Sequence, residues 1–155
     1  MTEDNPLSNQ QSTSPGRDDA RVEKMLDSAK EAVGLLGLTK FIDDNKEAIY
    51  DQLEDCNERV RKVPIGLDPD AAFIAQSLGM IGGVIHVGST RKNFDAAAGS
   101  VLPPGTHAEP MSVLSTLVLL YVVHKGWRDP DVSKDAARKA RWDTIYKRTK
   151  WLCEK

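Results

Sequence analysis

Residues 71 to 89 read AAFIAQSLGMIGGVIHVGS, nineteen consecutive positions without Asp, Glu, Lys or Arg in a chain that is 28% charged. Three structures could accommodate such a run: a membrane span, the buried helix of a soluble bundle, or a strand leading into a phosphate-holding turn. The residues just before it decide between helix and strand. Asp68-Pro69-Asp70 supplies an N-cap acceptor, a proline where a helix needs no N–H, and an acid beside the positive end of the helix dipole. A helix from Pro69 to Val87 is therefore expected, with Gly88 just past its end and Ser89-Thr90-Arg91-Lys92 returning the chain to polar surroundings. At the α-helical rise it would be about 28 Å long, close to the roughly 30 Å hydrocarbon thickness of a bilayer.

Gln76, His86 and the glycines keep this helix near the margin of what inserts into lipid. The glycines carry a second signal. Ala75, Gly79 and Gly83 stand four apart on one face, and Gly82 widens it. Such a small-residue series permits close helix approach. Because each interior glycine costs up to about 1 kcal/mol relative to alanine, the face is expected to be a helix contact.

The expected neighbour is MSVLSTLVLLYVV, residues 111 to 123, with Pro110 as a helix start and Gly126 as a stop. Together the two helices, 69 to 87 and 110 to 125, form an apolar hairpin across residues 68–126. Lys125 and Trp127 at its end suit a headgroup region. Arg59, Arg61 and Lys62 precede the first run, and Lys125, Arg128, Lys134, Arg138 and Lys139 follow the second, while the connection carries only Arg91 and Lys92. Two spans with both termini on the cytoplasmic-equivalent side satisfy the positive-inside rule. A cytoplasmic, all-helical bundle would show the same hydrophobic pattern. An α/β reading, with a strand at Gly83 to Val87, lacks both the Walker pattern and G-x-G-x-x-G.

Upstream, residues 1–19 are rich in Ser, Asn, Gln and Pro, and a disordered tail is expected there. Their acidic start does not resemble a secretory signal. Residues 20–63 carry two amphipathic charged helices. Val22, Met25, Leu26, Ala29, Ala32, Val33 and Leu36 mark the first, which stops at Gly37. Ile42, Ile49, Leu53, Cys56 and Val60 mark the second, with Lys46 interrupting the stripe. Cys56 and Cys153 make no disulfide framework and have no metal-ligand spacing.

The charge is asymmetric: 9 Lys or Arg against 14 Asp or Glu in residues 1–66, but 10 against 5 in residues 125–155. Residues 127–155 hold a basic amphipathic helix, capped by Ser133, with Trp142, Ile145, Tyr146, Thr149 and Leu152 along one face. Arg138, Lys139, Arg141, Lys147, Arg148 and Lys150 supply its charge. That helix could pack on the acidic front, lie on an anionic membrane, or contact nucleic acid.

No Ser-His-Asp, paired CxxC or HExxH pattern occurs, and His86 and His124 fall at opposite ends of the hairpin. No catalytic, cofactor-binding or metal-binding residue is expected, and no small-molecule substrate is inferred. The reading is an all-α, non-enzymatic protein that organises or assembles a membrane complex through protein partners or homo-oligomerisation. Its alternative is a soluble helical interaction module, in contact with nucleic acid through the basic helix.

Overall fold

A computed structural model describes residues 15–62, 66, 68–102 and 109–154, and every regular element among them is helical. In chain order these are α1 (Pro15–Leu35), α2 (Thr39–Asp44), α3 (Lys46–Arg59), α4 (Pro69–Gly88), α5 (Arg91–Val101), α6 (Pro110–Trp127), α7 (Pro130–Ser133) and α8 (Ala136–Lys150). Short 3₁₀ turns follow α3 at Val60–Lys62 and α8 at Trp151–Glu154. The all-α expectation holds for these residues. Most of the expected disordered tail lies outside the described residues, and its last part is helical, since α1 begins at Pro15.

The α1 stripe is buried from Val22 to Leu36, with Met25 half-buried. Gly37 ends it at φ +72°, where Leu38 N–H donates to Val33 O at 3.0 Å and Gly37 N–H to Gly34 O at 3.0 Å. This Schellman pattern needs a left-handed residue, which explains the glycine. The expected second helix is two helices. At Asn45 the backbone leaves helical geometry (φ −115°), and the Asn45 amide donates to Phe41 O at 2.8 Å. The break frees Lys46 from the apolar stripe, so its amine reaches Asp129 at 3.1 Å while Ile42, Ile49, Leu53, Cys56 and Val60 stay buried.

Helix α6 is the centre of the core. Leu114, Leu117, Val118, Leu119, Leu120, Val122 and Val123 are all buried, so it is apolar nearly all round, as a core helix must be. It packs against α1, α4 and α8. Gly126 was expected to stop it, yet the helix continues to Trp127. That glycine serves packing: a Cβ there would collide with the Trp142 ring.

Helix α4 starts as expected, with Asp70 N–H donating to Asp68 Oδ1 at 3.0 Å. It packs antiparallel to α6. A Cβ at Gly82 would lie 3.8 Å from Ser115 Oγ, while Ile85 and His86 share a pocket with Met111, so numbers rise along one helix as they fall along the other. The α4–α6 hairpin is therefore formed, but as a pair within a larger helical core. Gly88 closes α4 from inside the helix, without positive φ. A Cβ there would sit 2.7 Å from Leu38 Cδ2 and 2.8 Å from the Phe41 ring, so the glycine lets α4 abut the α1–α2 corner.

The connection between the apolar helices holds a helix that composition did not reveal. Thr90 caps α5 by accepting from Asn93 N–H at 3.1 Å, and Ala97 buries it in the core beside α1. The expected cap of the basic helix shifts as well. Ser133 ends α7, and Asp135 caps α8, accepting from Ala137 N–H at 2.9 Å and Arg138 N–H at 3.2 Å. A carboxylate there receives two orphan amides, one more than a serine hydroxyl usually takes. Trp142, Ile145 and Thr149 of α8 are buried, with Tyr146 and Leu152 half-buried. One hydrophobic cluster runs from Val22 to Cys153 and draws on residues 20–63, 68–126 and 127–155, the three expected segments that carry described side chains.

Candidate functional site on helix α4

The small-residue face is where sequence and structure part most clearly. Ala75, Gly79 and Gly83 are exposed, and a Cβ built at Gly79 or Gly83 meets nothing within 4 Å among the described residues. Gly82 alone turns toward α6. The close approach expected between the hairpin helices through this series is thus not made. Instead α4 meets the core through Phe73, Ile74, Ser77, Ile81, Val84 and Ile85, a stripe of ordinary-sized side chains. The buried Ser77 hydroxyl donates back to Phe73 O at 2.7 Å and so needs no partner from another helix.

The outer face of α4 is uncharged. Val87 is 74% exposed there. Beside Gly79 and Gly83 runs a groove of about 410 Å³, floored by Ile49 and Val84 and edged by Phe41, Met80 and Val87. Sequence reasoning located the glycines but missed Met80, directly after Gly79, and Val87, one turn past Gly83. Among the described residues α4 is the one helix long and apolar enough to cross a membrane, and 28% of its apolar window is buried.

The cations expected at a membrane or nucleic-acid surface are arranged differently. Arg138 meets Glu54 at 3.0 Å and Glu47 at 3.2 Å, and Arg141 meets Glu54 at 3.1 Å, which clamps α8 to α3. Arg148 reaches Asp70 of α4 at 2.8 Å. Lys125 pairs with Asp43 at 2.7 Å, and Lys139 with Asp143 at 3.5 Å. Lys139 also lies 4.7 Å from the centroid of the Trp127 ring and donates to Trp127 O at 3.0 Å. Trp127 itself stacks on Tyr146 at 3.9 Å and donates to Asp143 at 2.9 Å. Trp142 is wholly buried against Tyr50 and Gly126. Lys147 is exposed and Lys150 half-buried, and neither has a carboxylate partner among the described side chains.

The basic helix therefore packs on the acidic front. Glu54 is the hinge of that match, since its carboxylate is nearly buried and receives two guanidinium groups. A second joint forms at Asp129, which accepts from Lys46 at 3.1 Å and the Tyr50 hydroxyl at 3.3 Å. Burial pushes the Asp129 carboxyl up, but the Asp131 N–H, Lys46 and Tyr50 outweigh it and hold it below its ordinary value. Burial, reinforced by Asp129, pushes the Tyr50 hydroxyl well above its ordinary value.

Among the described residues no three His, Cys, Asp or Glu side chains gather as metal ligands. His107 lies outside the described residues. His86 is exposed on α4, and His124 is buried on α6. No protein-family model, curated protein or solved structure matches the chain, so its function has to be read from the arrangement of its own side chains.

Proposed function

We propose that the chain is a non-enzymatic assembly module that pairs with a second copy of itself through the outer face of α4. The observation that carries this reading is the exposed, uncharged series Ala75-Gly79-Gly83 with open space above its glycines. Two interior glycines that no intramolecular neighbour requires weaken a helix by up to about 1 kcal/mol each. Close approach by another helix gives them a use.

The series suits a copy of itself. In an antiparallel pair related by a two-fold axis through Gly79, Ala75 of one copy lies opposite Gly83 of the other, so every central contact is small against small. Rows spaced four apart incline to the helix axis, which sets a right-handed crossing of roughly 40 to 50°. At that crossing the partner helix lies over the groove edged by Phe41, Met80 and Val87 and covers their exposed apolar surface.

Replacing Gly79 with leucine tests this. The site is open, so the monomer still folds. Sedimentation velocity over a range of concentrations is expected to give a dimer for the natural chain and a monomer for Gly79→Leu. A natural chain that stays monomeric throughout removes the reading.

A second reading, lipid contact by the same face, is favoured by the length, composition and low burial of α4. It keeps the membrane location expected from sequence but not the pair of spans, because α6 uses its apolar surface inside the chain. Recovery of all the expressed protein in the supernatant of an alkaline carbonate wash would exclude an embedded α4.

A further inference from the structure

Helix α4 alone is a narrow platform for the pairing proposed above, and the seat inferred here for the second copy rests on that pairing. A specific protein interface buries about 800 Å² per partner. Two helices that cross at roughly 45° part quickly: about 11 Å from the crossing, two turns along each helix, their axes are already about 8 Å apart sideways. Further contact has to come from an element beside α4, on whichever side the second copy leans.

The small residues fix that side. Four residues of α-helix turn about 400°, so a series spaced by four drifts about 40° around the helix at each step. From Ala75 through Gly79 and Gly83 the drift leads to Val87, toward the side on which Met80 and Val84 stand. That side faces α3, since Met80, Gly83, Val84 and Val87 share the groove of about 410 Å³ with Asn45, Ala48 and Gln52. A partner helix whose own small row lies along this row inclines further in the same direction. Its axis passes from Gly79 over Gly83 and on across α3. Rows spaced by three lean the other way, toward the pocket of Ile85, His86 and Met111. The row of that kind through Gly79 is Gln76, Gly82 and Ile85, so its ends are not small.

The wall that α3 presents suits a close neighbour. Asn45, Ala48 and Gln52 are exposed, uncharged and spaced by three and four along one face. Ala48, the smallest of them, leaves the wall lowest midway along the groove. The charges of α3 lie elsewhere, with Glu47 and Glu54 engaged by Arg138 and Asp55 paired with Arg59 beyond Gln52.

We propose that the second copy seats its α4 in the groove between α4 and α3, with Ala48 as the residue that admits it. With the two-fold axis through Gly79, the part of the second copy that reaches α3 is the N-terminal half of its α4, where Ala71, Ala72 and Ala75 keep the contact small. Each copy offers one groove and fills the other, so the α3 contact is made twice. Val87, 74% exposed in the single chain, is covered in the same contact.

Arginine substitutions on the two sides of α4 test the lean, read by sedimentation velocity over a range of concentrations. Ala48→Arg lies at an exposed position with Asp44 and Asp51 one turn away on either side, so the monomer is expected to melt like the natural chain. In the dimer it brings two bulky cations into grooves lined by no carboxylate, and the dissociation constant is expected to rise at least roughly tenfold. Gln52→Arg repeats the test at a second exposed position of the same wall. Met111→Arg, on the α5 side, is expected to leave the constant within about twofold. Ala48→Arg and Gln52→Arg chains that pair as tightly as the natural one, while Gly79→Leu is monomeric, overturn the seat on α3 and leave the α4 pairing standing. A dimer weakened by Met111→Arg and not by Ala48→Arg overturns it too, by placing the second copy on the α5 side. A natural chain that is monomeric throughout removes the pairing itself, and the seat with it.

Discussion

Helices α4 and α6 are the two apolar runs of this chain, each opened by proline and each containing glycine. They have opposite roles. Helix α6 is surrounded by α1, α4 and α8 and buries nearly its whole circumference. Helix α4 buries one stripe and shows an uncharged face to the outside. Apolar composition thus measures what a helix can bury, whereas the number of neighbours decides what it does bury. The glycines follow the same division. Gly126 and Gly88 give room to Trp142, Leu38 and Phe41, while Gly79 and Gly83 make room for nothing among the described residues.

The largest expected effect separates the cores of the two helices. Leu119→Ala removes a fully buried side chain of α6 and is expected to cost about 2 to 5 kcal/mol in urea unfolding. Val87→Ala on the outer face of α4 is expected to stay within about 0.5 kcal/mol in the monomer. Equal losses would mean that the two helices are equally enclosed.

Next in size is a pH effect confined to α6. His124 has a folded pKa of about 4 against an ordinary value of 6.5. Between those values the unfolded chain binds a proton that the folded chain does not, so stability rises with pH across that window and falls on acidification. The total is about 3 kcal/mol. Unfolding in chloride buffers at intervals from pH 7 to pH 4 checks it, and His124→Gln should flatten the slope.

The smallest effects set one glycine against another. Gly126→Ala drives a methyl into the Trp142 ring and is expected to destabilise by about 1 to 3 kcal/mol. Gly79→Ala meets open space and is expected to stabilise the monomer by about 0.4 to 1 kcal/mol. A destabilised Gly79→Ala monomer would reveal an intramolecular use for Gly79 and weaken the case for an external partner.

Much of the helical plan was legible in the sequence, because its signals are local. Asp68 caps α4 through the amide two residues on, and Gly37 ends α1 through bonds spanning a few residues. The stripes of α1, α3 and α8 appear as three- and four-residue spacings. Helix α5 escaped notice because its buried side is carried by alanine, and the α2–α3 break because Asn45 interrupts a stripe that continues across it. The candidate site was half legible. Its small residues were visible, but their direction was not, since α4 has apolar or small side chains on every face.

The amino-acid sequence by itself determined an all-helical chain, most helix starts, the amphipathic stripes and the acidic front opposed to a basic end. Each depends on residues within a turn or two of one another, where capping and periodicity act. Only the tertiary structure decided that α6 is the core and that Ala75, Gly79 and Gly83 face outward. It also placed Arg138, Arg141 and Arg148 of α8 on acidic partners, with Arg138 and Glu54 bonded across 84 residues of chain. Burial and charge pairing are relations between distant elements, and no local spacing encodes which of two apolar helices acquires the more neighbours.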